Sequence, residues 1–170
     1  MKRVYVNEKW CLGCHLCEYY CAFANSGETD MVAALKGKKI YPRIQVEGNN
    51  DVSFAVSCRH CEQPLCVKAC IAGALSVVDG VIVRDALKCV GCHTCILSCP
   101  YGCIVPAPDD GSGHSVVQKC ELCTSNRAGK PACVEGCPNK AIVFEDRGVS
   151  GYGVCERGAA GNAPAAGGCK

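Results

Sequence analysis

Sixteen of the nineteen cysteines in this 170-residue chain fall into four groups of four. The groups are Cys11, Cys14, Cys17 and Cys21; Cys58, Cys61, Cys66 and Cys70; Cys89, Cys92, Cys95 and Cys99; and Cys120, Cys123, Cys133 and Cys137. Groups one and three have the spacing C-x2-C-x2-C-x3-C, whereas groups two and four have four and nine residues in the middle gap. Thiols at short, repeated spacings are suited either to disulfide bonds or to metal ligation.

The disulfide alternative requires an oxidising compartment. The first ten residues contain neither the apolar segment nor the small-residue cleavage site of a secretory signal. No stretch approaches the ~18 apolar residues of a membrane span, and an odd number of cysteines cannot pair completely. We therefore expect reduced thiols that bind metal, in a cytoplasmic protein without a membrane span.

Two kinds of metal site use such thiols. Zinc sites combine distant C-x2-C pairs, whereas a tight third cysteine followed by C-x3-C is the spacing of bacterial [4Fe–4S] ligands. In two-cluster ferredoxins the C-x3-C cysteine binds the other cluster. Because all four groups agree, we expect four [4Fe–4S] clusters, with a zinc-binding scaffold as the alternative. Every group has four cysteines and none leaves an iron open, so we expect no catalysis by this chain alone.

The composition agrees with an interior filled partly by clusters. Only 6% of residues are aromatic, while glycine and cysteine number 19 each. A chain of this length normally buries a sizeable apolar core. The formal charge of +2 would fall to about −6 with four thiolate-bound clusters. That charge removes the electrostatic basis for binding nucleic acid.

The elements that must position the cysteines are short. The Asp79-Gly80 turn between β-branched runs predicts a hairpin. Arg3 to Val6, Val52 to Val56 and Ser115 to Gln118 are expected to be strands that lead into groups one, two and four. Brief helices are expected after the fourth cysteine of each group. In the segment between groups one and two, a helix is expected over Asp30 to Lys36.

An internal repeat gives the domain organisation. Cys66, Cys70 and Ala74 recur as Cys133, Cys137 and Ala141, offset by 67 residues, which indicates a duplicated two-cluster unit. We expect a first ferredoxin-like unit, an insertion, a second ferredoxin-like unit and a Gly/Ala-rich tail. Their ranges are 1–25 with 112–147, 26–51, 52–111 and 148–170.

The four groups, in this order and with the long gap in the fourth, resemble the four-cluster ferredoxin subunits of bacterial oxidoreductases. VYVNEKWCLGCHLCEYYCAFA and SFAVSCRHCEQPLCVKACIAGAL are similar to a narrower branch. That branch contains the small iron–sulfur subunits of tungsten aldehyde oxidoreductases and carbon monoxide dehydrogenases. The resemblance covers about residues 1–147.

The resemblance implies interleaved ligation, in which groups one and four share two clusters and groups two and three share the other two. The implied ligands are Cys11, Cys14, Cys17 and Cys137 at site A; Cys21, Cys120, Cys123 and Cys133 at site B; Cys58, Cys61, Cys66 and Cys99 at site C; and Cys70, Cys89, Cys92 and Cys95 at site D. The implied fold is α+β: two interleaved ferredoxin-like two-cluster units around a pseudo-twofold, with short strands, short helices and little regular structure.

The resemblance also implies a function. Single electrons would pass along the clusters between a catalytic subunit and another redox partner, such as a flavin or NAD subunit or a ferredoxin. The implied catalytic partner is a tungsten aldehyde oxidoreductase; a carbon monoxide dehydrogenase or a molybdenum- or tungsten-containing formate dehydrogenase is the alternative. A free-standing polyferredoxin and self-association both remain open.

The remaining residues with possible roles at the clusters lie outside the ligand pattern. The cysteines outside the four groups, which we expect not to bind iron, are Cys103, Cys155 and Cys169. His15, His60 and His93 lie inside cysteine loops. A hydrogen bond that tunes a cluster is one interpretation of them, and an exposed polar loop residue is the one we favour.

Overall fold

Short elements make up the computed structural model, which describes residues 1–37, 39–49, 51–107, 115–124 and 130–147. The helices are α1 (Leu16–Ala24), α2 (Met31–Leu35), α3 (Leu65–Lys68), α4 (Thr94–Leu97) and α5 (Ala132–Glu135). The strands are β1 (Arg3–Val6), β2 (Ile44–Gly48), β3 (Ser53–Ser57), β4 (Leu75–Val78), β5 (Val81–Arg84), β6 (Val105–Pro106), β7 (Val117–Gln118) and β8 (Ile142–Glu145). They form antiparallel pairs β1–β8, β2–β3, β4–β5 and β6–β7. Short helices and antiparallel pairs agree with the expected α+β class.

The start of the chain is joined to the stretch that follows group four. Strand β1 pairs with β8 in a register that places Val4 opposite Phe144. The N-terminal ammonium forms an ion pair with Asp146 at the end of this ladder. Helix α1, which carries two cysteines of group one, packs on α5, which carries Cys133. The residues around groups one and four therefore pack together.

Close packing of α1 on α5 depends on a residue without a side chain. A Cβ placed on Gly136 would lie 2.4 Å from the Cδ2 and Cγ atoms of Tyr20 in α1. We expect Gly136→Ala to separate the two helices and to destabilise the protein by about 1–3 kcal/mol, the usual cost of overpacking. The measurement is the thermal midpoint of visible-absorbance loss under argon. Glu135→Ala, on the exposed face of the same helix, is the matched control and should stay within about 0.5 kcal/mol; equal midpoints for both variants would contradict the packing argument.

Groups two and three form the other half of the fold. Helix α3, with Cys66, packs on α4, with Cys95. The predicted hairpin is confirmed as β4–β5, and its turn residues Asp79 and Gly80 have φ of 49° and 77°. Positive φ at both central positions is what a type I′ hairpin turn requires.

The inserted segment covers α1. Its helix α2 begins after Asp30, whose carboxylate accepts a hydrogen bond from the Ala33 N–H at 2.7 Å, as an N-cap does. Strand β2 pairs with β3, and the Val46 N–H donates to the Glu18 carboxylate of α1 at 2.6 Å. Ile44 is buried against Cys17 and Cys21. The insertion therefore closes one side of the group-one cysteines.

Helices in the structure carry the third cysteine of each group. The third cysteines Cys17, Cys66, Cys95 and Cys133 lie within α1, α3, α4 and α5. Turns follow the fourth cysteine of groups two, three and four, whereas α1 continues past Cys21 to Ala24. The expectation of helices after the fourth cysteine was therefore wrong for groups two to four, and only at group one do helical residues follow that cysteine. A helical turn at the third cysteine directs its thiol inward, since residues three or four apart share one helix face.

Across the described ranges, no helix has the length and apolarity needed to cross a membrane.

Candidate metal centres

Sites A and D are cavities at which cysteines of two groups meet. The cysteines on the walls of the first cavity are Cys11, Cys14, Cys17 and Cys137. The cysteines on the walls of the second cavity are Cys70, Cys89, Cys92 and Cys95. In each cavity three cysteines come from one group and the fourth from the C-x3-C position of another. Cys14 and Cys92 are exposed, so both sites reach the surface.

Site B brings Cys21 to group four. The charges of Cys120, Cys123 and Cys21 all act on the Cys133 thiol, and that of Cys123 acts on Cys21. All four thiols are buried. Cys21 therefore lies among cysteines about a hundred residues further along the chain.

Site C brings Cys99 to group two. Cys58 interacts electrostatically with Cys61 and Cys99, and Cys66 interacts with Cys58 and Cys99. Cys120 of site B also interacts with Cys58 of site C. Sites B and C are therefore neighbours. Cys17 of site A acts on Cys133 of site B, and α3, with Cys66 of site C, packs on α4, with Cys95 of site D.

The loop conformation at the second cysteine is the same in all four groups. The residue before it has positive φ, namely 62° at Gly13, 47° at His60, 67° at Gly91 and 55° at Leu122. Glycine adopts this region without steric cost, and histidine and leucine adopt it only when the surroundings impose it. This shared turn wraps the backbone around each set of thiols.

Backbone amides point at the sulfur atoms. The Ala74 and Ala141 N–H groups donate to Cys70 Sγ and Cys137 Sγ, both at 3.2 Å. The Arg43 N–H, from the insertion, donates to Cys21 Sγ at 3.3 Å. Hydrogen bonds from N–H groups stabilise the thiolate form that a metal requires.

Burial opposes the thiolate form when no metal is present. Desolvation raises the pKa of Cys17 and Cys120 to about 12 and that of Cys66 to about 11. Metal binding at these positions must therefore displace a proton from each thiol. In the described part of the chain, no three His, Cys, Asp or Glu side chains are arranged to hold a single metal ion. Thiols spaced around cavities, with amides directed at their sulfurs, fit a cubane cluster that takes one thiolate at each iron.

Cys103 is buried beside site C and lies apart from the four sets. Its thiol donates to the Ser57 carbonyl at 3.0 Å. The same thiol proton can point at Cys99 instead, and that hydrogen bond lowers the pKa of Cys99 to about 5. Cys103 therefore supports a predicted ligand. Cys155 and Cys169 lie outside the described residues.

We expect Cys103→Ala to leave the iron content unchanged, because Cys99 is the cysteine of group three that completes site C. Loss of the donor to Ser57 should cost about 1 kcal/mol. Iron analysis and the thermal midpoint measure the two effects. Cys103→Ser, which keeps a donor, is the matched control; loss of about four irons from the alanine variant would make Cys103 a ligand.

The histidines in the cysteine loops differ from one another. His15 is exposed and its Nδ1 lies 2.8 Å from the Glu18 carboxylate, as the loop interpretation predicts. His60 is only 1% exposed, so the loop interpretation was wrong there. Its Nδ1 accepts a hydrogen bond from the Ile82 N–H at 3.0 Å. Burial, together with Lys119 and Arg3, lowers the pKa of His60 to about 3.

Sequence reasoning missed Lys119 altogether. This lysine directly precedes Cys120 and is 1% exposed. A buried charge is costly unless it is paired, so its position needs an explanation. The one available signal was its place beside a predicted ligand.

Comparison with known families decides the chemistry of these centres. A 4Fe-4S dicluster domain model matches residues 51–147, and a 4Fe-4S binding domain model matches residues 8–24. This protein belongs to the 4Fe-4S dicluster domain family. The family binds [4Fe–4S] clusters, so the expected cofactor is confirmed over the zinc alternative.

Several members of the family are similar over most of their length. The chain is 38% identical to the "Iron-sulfur protein" of Rhodospirillum rubrum, covering 84% of this chain and 81% of that protein. It is 35% identical to the electron transport protein HydN of Escherichia coli (strain K12), covering 81% and 83%. It is 32% identical to the B subunit of the anaerobic dimethyl sulfoxide reductase of the same strain, covering 82% and 71%.

Another relative is much longer. The chain spans 23% of the length of the putative oxidoreductase AegA of Escherichia coli (strain K12), to which it is 37% identical. The similarities to proteins of comparable length identify the chain as an iron–sulfur electron-transfer protein.

Proposed function

We propose that this chain is the electron-transfer subunit of an oxidoreductase complex and holds one [4Fe–4S] cluster in each of sites A to D. The observation that carries the proposal is the meeting of three thiols from one group with the C-x3-C thiol of another at each site. The proposed ligands are those that the family resemblance implies, with groups one and four interleaved and groups two and three interleaved. The proposed units are residues 1–25 with 112–147 and residues 52–111, joined by the insertion 26–51.

Electron relay follows from the order of the sites. Bound clusters supply reversible one-electron reduction at a potential that the protein sets. Helix α1 carries both Cys17 of site A and Cys21 of site B. Cys120 of site B acts electrostatically on Cys58 of site C, and groups two and three contribute to both C and D. We infer that the chain holds the four sites in a row, with the thiols of site B buried and those of site C buried or half-buried.

Both ends of the row have apolar surroundings that suit protein partners. Trp10 and Leu12 are exposed and line the cavity of site A. Around site D, Ile71 and Val90 each follow one of its cysteines and are exposed, and Leu97 in α4 is 88% exposed. Exposed apolar side chains grouped at one place are typical of interaction surfaces. We assign one end to a catalytic subunit and the other to a second redox partner.

The nature of the catalytic partner is inferred from the relatives and from the resemblance. The relative from dimethyl sulfoxide reductase is by its name one component of a multi-subunit enzyme, which supports a catalytic subunit for this protein too. The narrower proposal is a tungsten aldehyde oxidoreductase, with the carbon monoxide and formate dehydrogenases as alternatives. Purification of the native complex under anaerobic conditions, followed by metal analysis of the co-purifying large subunit, tests it. Tungsten bound to that subunit, with aldehyde-dependent reduction of this chain, would support it; a nickel-containing partner would overturn it.

Electron counting tests the relay itself. Coulometric titration of the anaerobically prepared chain should take up about four electrons, one for each cluster. Each electron should give the EPR signal of a reduced [4Fe–4S] cluster. Uptake of about two electrons would show that only half of the proposed sites hold clusters.

A further inference from the structure

A buried positive charge lies between the two inner sites. Lys119 is fully enclosed, and its ammonium donates a hydrogen bond to the Cys120 carbonyl at 2.9 Å and another to the Ile82 carbonyl. Cys120 belongs to site B, whereas Ile82 lies in β5. The ammonium is therefore held in place from two directions by groups that carry no net charge.

The backbone of Ile82 links the Lys119 ammonium to His60, on the side of site C. Its N–H donates to His60 Nδ1 at 3.0 Å, and its carbonyl accepts from Lys119. An Nδ1 that accepts a hydrogen bond leaves the proton of a neutral imidazole on Nε2. His60 is thus uncharged. In the sequence it stands between Cys58 and Cys61, which are two cysteines of site C. The charge in this region belongs to the lysine.

Most of the described groups that interact electrostatically with the Lys119 ammonium are cysteine thiols. The groups whose charged forms would stabilise the ammonium of Lys119 against the cost of its burial are Cys58, Glu121, Cys120 and Cys66. Glu121 is already engaged, because its carboxylate accepts from Arg43 Nη1 at 3.1 Å and from the Arg84 N–H at 2.9 Å. The remaining three are thiols of sites B and C. Two carbonyls hold the ammonium beside these ligands, and thiolates bound to iron in sites B and C would compensate its buried charge.

We propose that Lys119 is a positioning residue for electron transfer that raises the reduction potentials of the clusters at sites B and C above what their ligands alone would give. The inference rests on the proposed function, since it requires clusters at both sites. A fixed positive charge in a low-dielectric interior favours the form with one more electron. One lysine therefore makes both inner positions easier to reduce, and the two end sites, further along the row, are left unaffected.

The test compares redox titrations, followed by EPR, of the parent chain and three variants. Lys119→Met removes the charge, and two of the four midpoint potentials should fall. Lys119→Arg keeps the charge and should leave those midpoints near the parent values. Lys88→Met is the matched control, because Lys88 also directly precedes the first cysteine of a group but is 64% exposed and paired with Asp85 at 3.4 Å. Screening by water at that position should leave all four midpoints unchanged.

Each outcome bears on one claim. A Lys119→Met variant with full iron content and four unchanged midpoints overturns the role of Lys119 and leaves the proposed function intact. A parent chain without about sixteen irons overturns the proposed function itself. If Lys119→Met does not fold, pulsed EPR of the folded parent chain and of Lys119→Arg tests the proposal instead. Reduced parent chain labelled with ¹⁵N at its lysine side chains should show a weak nitrogen coupling that Lys119→Arg lacks, and its absence from the parent contradicts the proposal.

Discussion

Replacing Cys21 with serine is expected to remove the cluster of site B and about four irons per chain. The reason is geometric, since the Cys21 thiol lies among Cys120, Cys123 and Cys133 although it is close in sequence to group one. Trypsin gives a local readout, because Lys119 is buried in the parent chain. Loss of the site B cluster should expose the peptide bond after Lys119 and speed its cleavage severalfold or more.

Two comparisons make this result specific. Cys137→Ser should also cost about four irons, but from site A, and so should leave the bond after Lys119 better protected than Cys21→Ser does. Cys103→Ser should retain both the iron and the protection. If Cys21→Ser lost iron while the bond after Lys119 stayed as resistant as in the parent, the cysteines of group one would serve a single cluster and interleaving would be wrong.

Removal of iron is expected to unfold the described fold almost completely. Cysteines make up about half of the residues in both buried clusters of side chains, alongside leucine, isoleucine, valine and alanine. Without metal, burial holds the pKa of thiols such as Cys120 at about 12, so they stay protonated and the sites lose the bonds that close them. Metal binding energy is then folding energy, as in small zinc domains.

Hydrogen exchange measures this effect. In the cluster-loaded chain the Ala74 and Ala141 amides, which donate to cysteine sulfurs, should exchange slowly. After anaerobic chelation they should exchange within minutes, together with the β1–β8 ladder. Holding the loaded protein in the same reductant without chelator is the control. A ladder that remained protected in the iron-free chain would show that the apolar residues suffice for folding.

Cysteine spacing was enough to predict much of the candidate site and part of the fold. The ligand motifs are local, so the sequence alone separated Cys11 to Cys21 from the later groups and excluded Cys103. The Asp79-Gly80 turn predicted its hairpin because the backbone requirement resides in those two residues. The link between the N-terminal segment and group four came from the resemblance, because nothing local to Cys21 or Cys137 encodes a partner so distant in the chain.

Environments that depend on tertiary packing could not be predicted in this way. Lys88 and Lys119 occupy the same position relative to a cysteine group, yet one is exposed and the other enclosed beneath β5. His15 and His60 likewise share a loop context but differ in burial. The helices of groups two to four were placed one cysteine too late, because a pattern of thiols does not show which thiol a helical turn must direct inward.

Iron and acid-labile sulfide content of the parent chain, with its Mössbauer spectrum, is the most direct test of the account. Protein prepared under strictly anaerobic conditions should contain about sixteen irons and about sixteen sulfides, all in [4Fe–4S]²⁺ clusters when oxidised. The count follows from four sets of four thiols. About eight irons per chain, or stoichiometric zinc, would contradict it.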